Sequence, residues 1–524
     1  MVVRKATEQT ALALTSDLAA YGERARWSGI YYRGEKIGFS VSQMTERPGG
    51  FKLQEDAQML LTLMGASTAS RLHTEVNVDP QYMLQDFAFS LDPGTGPISI
   101  KGTLEAPTRL AVRIISATGE RARTFDLKEP PVLALNLPKR LLAMGLEEGA
   151  KHQIQIFDPA TLTNGLASIV VGRREVVRIL DKPVPAFKLD MTYAGISTTS
   201  WITEVGEVIK EESAMGMVVL RESRDRATAM AMSSEVKTDM IEAAAIQPDS
   251  KRPIDDPASL QSLRLEISGA ALPGTAEEMN GAGQTVSGNV VDIVDAESLR
   301  SGPRPDDIQE ALSPEAFIES DAPEILAETA KALGPAGEKA SARQKAELLV
   351  RYVNAVLEKK PTMSLPSAVE VLRTRVGDCN EHTALYVAMA RAANIPARVV
   401  IGLVNLRGAF YYHAWPEVFV GGRLAPASAD SKSGVWIPVD PTLNQFPADV
   451  THVRLVRGGF DRQAAILPLL GRAKIKILEM VDGPSKSNTT VLVGADRKET
   501  TSLALDFPAP EGKDSCWRRP APRR

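Results

Sequence analysis

Three residues in the C-terminal half, Cys379, His413 and Asp440, are of the types that carry nucleophilic acyl chemistry. A thiolate attacks a carbonyl carbon. An imidazole takes the thiol proton and returns it to the leaving group. A carboxylate fixes the imidazole tautomer and stabilises its cation. The stretch Val376-Gly377-Asp378-Cys379-Asn380-Glu381-His382 reads as a helix start. Asp378 is an N-cap type, and Glu381 stands three residues on, as in a capping box. The alanine-rich run from Thr383 continues the helix until Asn394 and Pro396 end it. Cys379 then falls in the first turn, where the helix dipole favours a thiolate and lowers its pKa. That turn also offers backbone N–H groups, including that of Cys379, to a developing oxyanion. Gly377 gives the sharp entry and lets a substrate backbone approach.

The partners come from strands. Ala397 to Val404 reads as one strand, Asn405 to Gly408 as a turn, and Ala409 to Val420 as a second strand. Period two puts Tyr411, His413, Trp415, Glu417 and Phe419 on one face. A third strand, from Val435, ends at Asp440 before Pro441. Trp415, Tyr411 and Trp436 are candidate walls of a substrate cleft. Glu417 is either an acid that faces an incoming amine or one that is solvated or paired.

Blander readings compete. A single buried Cys is ordinarily a small hydrophobe, a histidine on an aromatic strand is often structural, and an Asp before Pro can simply start a turn. Metal binding is the rival chemistry, because Cys379 and His382 form a C-x-x-H, and His413 and Asp440 could complete four ligands. Structural zinc draws on a second close pair, which is absent here, so no metal and no cofactor is expected. No Ca²⁺ loop of EF-hand type and no G-x-x-x-x-G-K-[ST] phosphate loop occurs.

The quoted segments resemble the bacterial transglutaminase-like superfamily. They are Gly377-Asp378-Cys379 with its helix, Ala393 to Val400, His413 to Val418, and Trp436 to Thr442. The resemblance runs from about Pro323 to Val456, about a quarter of the chain. It implies a papain-like core with Cys379 as nucleophile, His413 as base and Asp440 as orienting acid. Thr383 departs from the small apolar residue common there. The superfamily holds both hydrolytic and acyl-transferring members. Some bacterial ones carry an N-terminal β domain and act in the cell envelope.

The rest of the chain must hold these elements. Its 524 residues suggest about two to four domains. Lysine and arginine number 61 against 65 acids, for a net charge of −4, which argues against a general polyanion binder. Two cysteines, Cys379 and Cys516, exclude a disulfide scaffold. From Trp27 to about Ala227 turn-punctuated strands are predicted: a hairpin about Arg33-Gly34-Glu35, then Leu72–Val78, Tyr82–Leu91, Ile98–Leu104, Arg109–Ser116, Gln153–Phe157, Ser168–Val177 and Phe187–Tyr193. The Pro/Gly cluster Pro93-Gly94-Thr95-Gly96-Pro97 is one of the turns, and Pro138 to Leu146 is a short helix. Further strands are expected at Leu263–Ile267 and Thr285–Val294, helices at Pro323–Leu333 and Ala342–Leu357, and a last strand pair at Asn488–Val493 and Ser502–Leu505.

The expected fold class is α+β. An N-terminal β-rich domain, an antiparallel sheet or half-barrel, precedes a papain-like transglutaminase core. The expected divisions are an arm (1–25), the β-rich domain (26–245), a Pro-rich linker (246–260), a small β element (261–304), the catalytic domain (305–481), and an extension with an arginine-rich tail (482–524). A C-terminal fragment from about Pro305 is expected to fold alone. No stretch is long and apolar enough to span a membrane. Taken as given, the chain is expected in the cytoplasm; a signal peptide missing from the start would place it in the envelope. The expected activity is thiol-dependent amide cleavage of a peptide or protein substrate through a Cys379 acyl-enzyme. The rivals are glutamine acyl transfer to amines, and a non-catalytic peptide- or polymer-binding envelope protein. No nucleic-acid partner is expected, and nothing specifies an oligomer.

Overall fold

The computed structural model describes Leu18 and residues 21–483, except 64–65, 93–96, 117–118, 194, 215, 230–238, 316, 361–366, 422–432, 460–464, 467–468 and 470. Most of the N-terminal arm, the 93–96 turn, the strand pair expected at 488–493 and 502–505, Cys516 and the tail lie outside the described residues.

Between Arg26 and Glu222 the described residues form one antiparallel sheet of fourteen strands. The strands from Arg26–Tyr32 to Gly119–Asp126 each pair with the next, and so do those from Lys151–Asp158 to Met217–Glu222. The two runs join where Arg26–Tyr32 lies antiparallel to Met217–Glu222, with Ile30 opposite Val219. Alternation sets the faces. In Ile98–Ala106, Ile98, Ile100 and Gly102 are buried while Lys101 and Thr103 are exposed. Apolar side chains pack into one cluster about Phe87, Ile100, Leu110 and Phe157 and another about Ile154, Ile169, Leu189 and Ile202. The segment entering helix Leu137–Met144 reaches both, through Leu133 in the first and Val132, Leu137 and Leu141 in the second.

The C-terminal unit has one core, running from Ile246 to Ile477. Strand Leu260–Ser268 pairs on one side with Val290–Val294 and on the other with Lys474–Asp482, which returns from the far end of the unit. The stretch expected to be a linker is docked on it. Ile246 exchanges two 2.8 Å backbone hydrogen bonds with Phe410, and Asp249 exchanges two of 2.8 Å with Ile475 and Ile477.

The site is built on helix α1 (Cys379–Ala392) and strands β1 (Ala397–Leu406), β2 (Ala409–Val420), β3 (Ser433–Pro438) and β4 (Val453–Arg457). Their sheet order is β3-β2-β1-β4, all antiparallel, with Gly302–Pro303 on the outer edge of β3. Arg407 and Gly408, at φ of 54° and 87°, close the tight β1–β2 turn. α1 is the hub. Leu385 through Ala390 are each fully buried, so the helix is apolar all round rather than on one stripe. Leu385→Ala would cost about 2–5 kcal/mol. Helix followed by antiparallel hairpin and third strand is the order expected of a papain-like core.

Candidate active site

The capping box forms as the sequence predicts. The Asp378 carboxylate accepts from the Asn380 N–H at 3.0 Å, and Glu381 accepts from the Asp378 N–H at 2.8 Å. A Cβ on Gly377 would lie 2.2 Å from the Glu381 Cβ. Glycine is therefore required here to admit the capping glutamate, rather than to let a substrate approach.

Cys379 is half-buried at the start of α1. Its thiol meets the backbone N–H of Ala414 on β2. One turn along, the Thr383 hydroxyl donates to the Ala414 carbonyl at 3.1 Å. Thr383, the departure from the family pattern, thus fastens the helix to the strand residue that follows His413. Burial, and then the negative charge of Asp378, push the Cys379 thiol well above its ordinary range. The sequence implied the opposite direction. A helix end supplies only about half a positive charge, and desolvation with the carboxylates of Asp378, Glu381 and Asp440 outweighs it.

His413 Nε2 lies 2.7 Å from Asp440 Oδ2, and both side chains are buried. With Nε2 committed to the carboxylate, Nδ1 is the nitrogen left to take a proton from a thiol. Asp440 does start a turn as well. Its Oδ1 accepts from the N–H groups of Thr442 and Leu443 at 2.7 and 2.9 Å. Burial opposes ionisation of Asp440, but His413 and His452 hold its carboxyl well below the usual range.

The aromatic and acidic candidates divide. Trp415 is fully buried and stacks on the His413 ring at 5.9 Å, so it supports the imidazole instead of walling a cleft. Gly402 makes room for it, since a Cβ there would stand 2.9 Å from the Trp415 ring and 2.0 Å from the Val453 carbonyl. Trp436 packs against Phe419 at 5.6 Å and under the Arg398 guanidinium at 3.9 Å, at the end of β2 remote from His413. Glu417 is buried with both oxygens engaged, one by Arg398 at 2.6 Å and one by Arg454. Burial opposes its ionisation, yet Arg454 and Arg398 keep its carboxyl below the ordinary range. It is therefore a structural acid, and no oxygen is left for a substrate. Tyr411, half-buried two residues before His413, is the one candidate wall still placed beside the imidazole.

Three neighbours stand outside the expected catalytic set; of these only His382 was read from the sequence, as part of the C-x-x-H. Tyr412 packs toward α1, and its hydroxyl is buried without a hydrogen-bond partner. Burial and the nearby Cys379 hold that phenol far above its usual pKa. His382 bonds through Nδ1 to the Asp378 carbonyl at 2.7 Å, leaving Nε2 buried and unpartnered. Burial pushes it down to about 4, so the ring is neutral. His452, on the residue before β4, places Nε2 3.1 Å from Asp440 Oδ2. The only sequence signal for it was a histidine running into the short strand Val453–Arg457.

Ligand-type atoms of His413, Asp440 and His452 lie within 4.8 Å of one another. Cys379 and His382, the C-x-x-H pair, are outside that group. The 2.7 and 3.1 Å separations between these atoms are hydrogen-bond lengths, whereas ligand atoms about 2.0–2.2 Å from a tetrahedral zinc stand about 3.3–3.6 Å apart.

Residues 328–441 match the transglutaminase-like superfamily core. This part of the chain is a transglutaminase-like domain. It holds all three of Cys379, His413 and Asp440 and stops short of His452. No curated protein matches the chain. Among solved structures, a β-barrel-like protein of unknown function from Brucella abortus is similar over 38% of this chain and 95% of its own, at 12% identity and a TM-score of 0.31. A structure described as "a Putative Cysteine Protease", from Cytophaga hutchinsonii, is similar over 41% of this chain and 83% of its own, at 18% identity and a TM-score of 0.25. A "putative protease" from Parabacteroides distasonis covers 75% and 70%, at 11% identity and a TM-score of 0.16.

Proposed function

We propose that the transglutaminase-like domain cleaves amide bonds through a Cys379 acyl-enzyme, as a peptidase or amidase. The observation that carries this reading is the 2.7 Å His413–Asp440 pair, on the strand whose next residue contacts the Cys379 thiol. In the first half-reaction, His413 Nδ1 takes the thiol proton as Sγ bonds to the substrate carbonyl carbon. The negative charge on the carbonyl oxygen is met at the start of α1, where the Cys379 N–H lies. Collapse breaks the C–N bond, the imidazolium returns the proton to the amine, and a thioester remains. In the second, His413 deprotonates water, which attacks the thioester, releases the acid and restores the thiol. Because burial holds the thiol protonated, His413 acts as base during attack rather than storing a thiolate beforehand.

The acceptor could instead be an amine, which must outcompete water and needs a shaped, dry second pocket. Glu417 was the residue available to greet a lysine, and its engagement by two arginines favours water. The test is mass spectrometry of products from a peptide-amide library with millimolar primary amine. Predominantly acid product is expected. Predominantly amine adduct would make the protein a transferase, and no product from any library member would remove the enzymatic reading.

A further inference from the structure

We propose that His452 is a positioning residue: a buried imidazolium that shares the Asp440 carboxylate with His413, fixing that carboxylate and keeping His413 neutral and able to accept a proton. The inference rests on the thiol–imidazole reading above.

With Asp440 ionised, the geometry requires the charge. Nε2 of His452 lies 3.1 Å from Asp440 Oδ2. Nδ1 lies 3.1 Å from the Asp449 carbonyl oxygen and 3.3 Å from Asp449 Oδ1. A backbone carbonyl only accepts, and so does an ionised carboxylate. Both ring nitrogens must therefore donate, and only the imidazolium has two N–H groups. The side chain is fully buried, so water does not take up either bond. Burial works against the charge, but the bonds to Asp440 and Asp449 raise His452 to about 10.

The groups facing this ring are few. Asp440 comes from the loop after β3 and Asp449 from the turn before β4. From β2 come His413 and Trp415, with ring centroids at 5.8 and 5.2 Å. The next charges, Glu417 and Arg454, are paired to each other. Asp440 Oδ2 thus accepts from two imidazoles while Oδ1 is held by the Thr442 and Leu443 N–H groups. A carboxylate bonded on all sides cannot rotate. An undivided Asp440 charge would make His413 more basic and hold it protonated at Nδ1, where it could take nothing from the thiol. The His452 charge offsets that pull.

The test is the pH profile of Cys379 alkylation by iodoacetamide, followed on its own peptide by mass spectrometry so that Cys516 does not interfere. In the wild type the low-pH inflection should report His413 and should vanish in His413→Ala. His452→Gln should move it up by about one pH unit, so that labelling below the inflection slows about tenfold. A uniform fall at every pH would mean that His452 merely packs, and would overturn the proposal. So would a wild-type profile altered by EDTA, which would make the group a metal site. If the wild type lacks a His413-dependent inflection, the thiol–imidazole reading fails. Nitrogen NMR of the ¹⁵N-histidine-labelled wild type then still decides the charge. The His452 ring, assigned by its loss in His452→Gln, is expected doubly protonated at pH 8, and a neutral His452 ring would overturn the proposal.

Discussion

The N-terminal sheet and the transglutaminase-like domain treat charge in different ways. On the sheet, Arg109–Glu105 at 3.4 Å and Arg113–Glu120 at 3.3 Å leave both partners open to water and Lys52–Glu75 at 2.7 Å is half-buried, while Glu222 is buried and held by Tyr31, Lys36 and Arg226. In the C-terminal unit Asp440, His452, Glu417 and Arg454 are buried, and each meets more than one partner. Burying an ion costs several kcal/mol unless its partners are in place. Such groups therefore persist where surrounding structure holds them, and perturbed buried ions gather at functional sites. In the C-terminal unit two of these groups, Asp440 and His452, adjoin His413 of the proposed site.

Removing charges in the two regions should break or keep that contrast. Cys379→Ala should abolish product formation, and His413→Ala should leave little of it. Asp440→Asn should lower kcat/KM about 10³–10⁴-fold, because the amide can hold the wrong imidazole tautomer. Glu75→Gln on the sheet should leave kcat/KM unchanged and stability within about 1 kcal/mol. Steady-state kinetics on all four variants decides. A comparable loss from Glu75→Gln would end the contrast.

The boundary between the halves gives the next effect. A fragment starting at Pro305 removes Leu260–Ser268, leaving Lys474–Asp482 without its partner strand and the core without Leu263, Leu265 and Ile267. That fragment should be insoluble or molten by circular dichroism, whereas one from about residue 245 to 483 should unfold cooperatively. Cooperative unfolding of the shorter piece would restore the boundary expected from sequence.

What was legible follows the same line. Half-buried strands such as Ile98–Ala106 announce themselves by alternation, and the capping box at Asp378 and Glu381 is local chemistry written in four residues. Gly119–Asp126 was missed because it is an edge strand, exposed at most positions and rich in charge, as edges tend to be. Lys474–Asp482 was missed because its partner lies about two hundred residues away, and composition carries no trace of that pairing. The Cys379, His413 and Asp440 set was readable from residue type and order. His452 was not, because its meaning comes from Asp440 and Asp449 closing on it from two sides. Alternation put Trp415 and Glu417 on the face of His413, but it gives direction and not neighbours, so the ring stacking of Trp415 and the arginine partners of Glu417 were not legible.

Smaller effects sharpen the site itself. Thr383→Val removes the bond to the Ala414 carbonyl and should loosen the seat of Cys379, lowering kcat about tenfold with KM nearly unchanged. Tyr412→Phe deletes a buried hydroxyl that has no protein partner. If that hydroxyl meets the substrate, kcat/KM should fall about tenfold while thermal stability holds or rises. An unchanged kcat/KM would leave Tyr412 as packing alone.

The smallest effect comes from an acid on the sheet whose titration is displaced. Glu55 is half-buried, and burial first, then the Glu211 charge, raises it from 4.5 to about 7. The folded state thus binds its proton more tightly than the unfolded chain. Stability from this group is fully present below about pH 4.5 and is lost as pH rises through about 7. In the other half the signs are mixed. Asp449 is lowered to about 2, so its contribution is present above its ordinary 3.8 and lost as pH falls through about 2. His452 is raised to about 10, so its contribution holds below 6.5 and is lost as pH rises through about 10. Between about pH 4.5 and 6.5 Glu55 should therefore soften the sheet while the His452 contribution to the transglutaminase-like domain is still intact. Glu55→Gln removes the charge that becomes unfavourable and should raise the first thermal transition by about 2 °C at pH 8, with no change at pH 4. Calorimetry at the two pH values checks this. An equal shift at both would show that the substitution acts through packing and that the Glu55 charge is of no consequence.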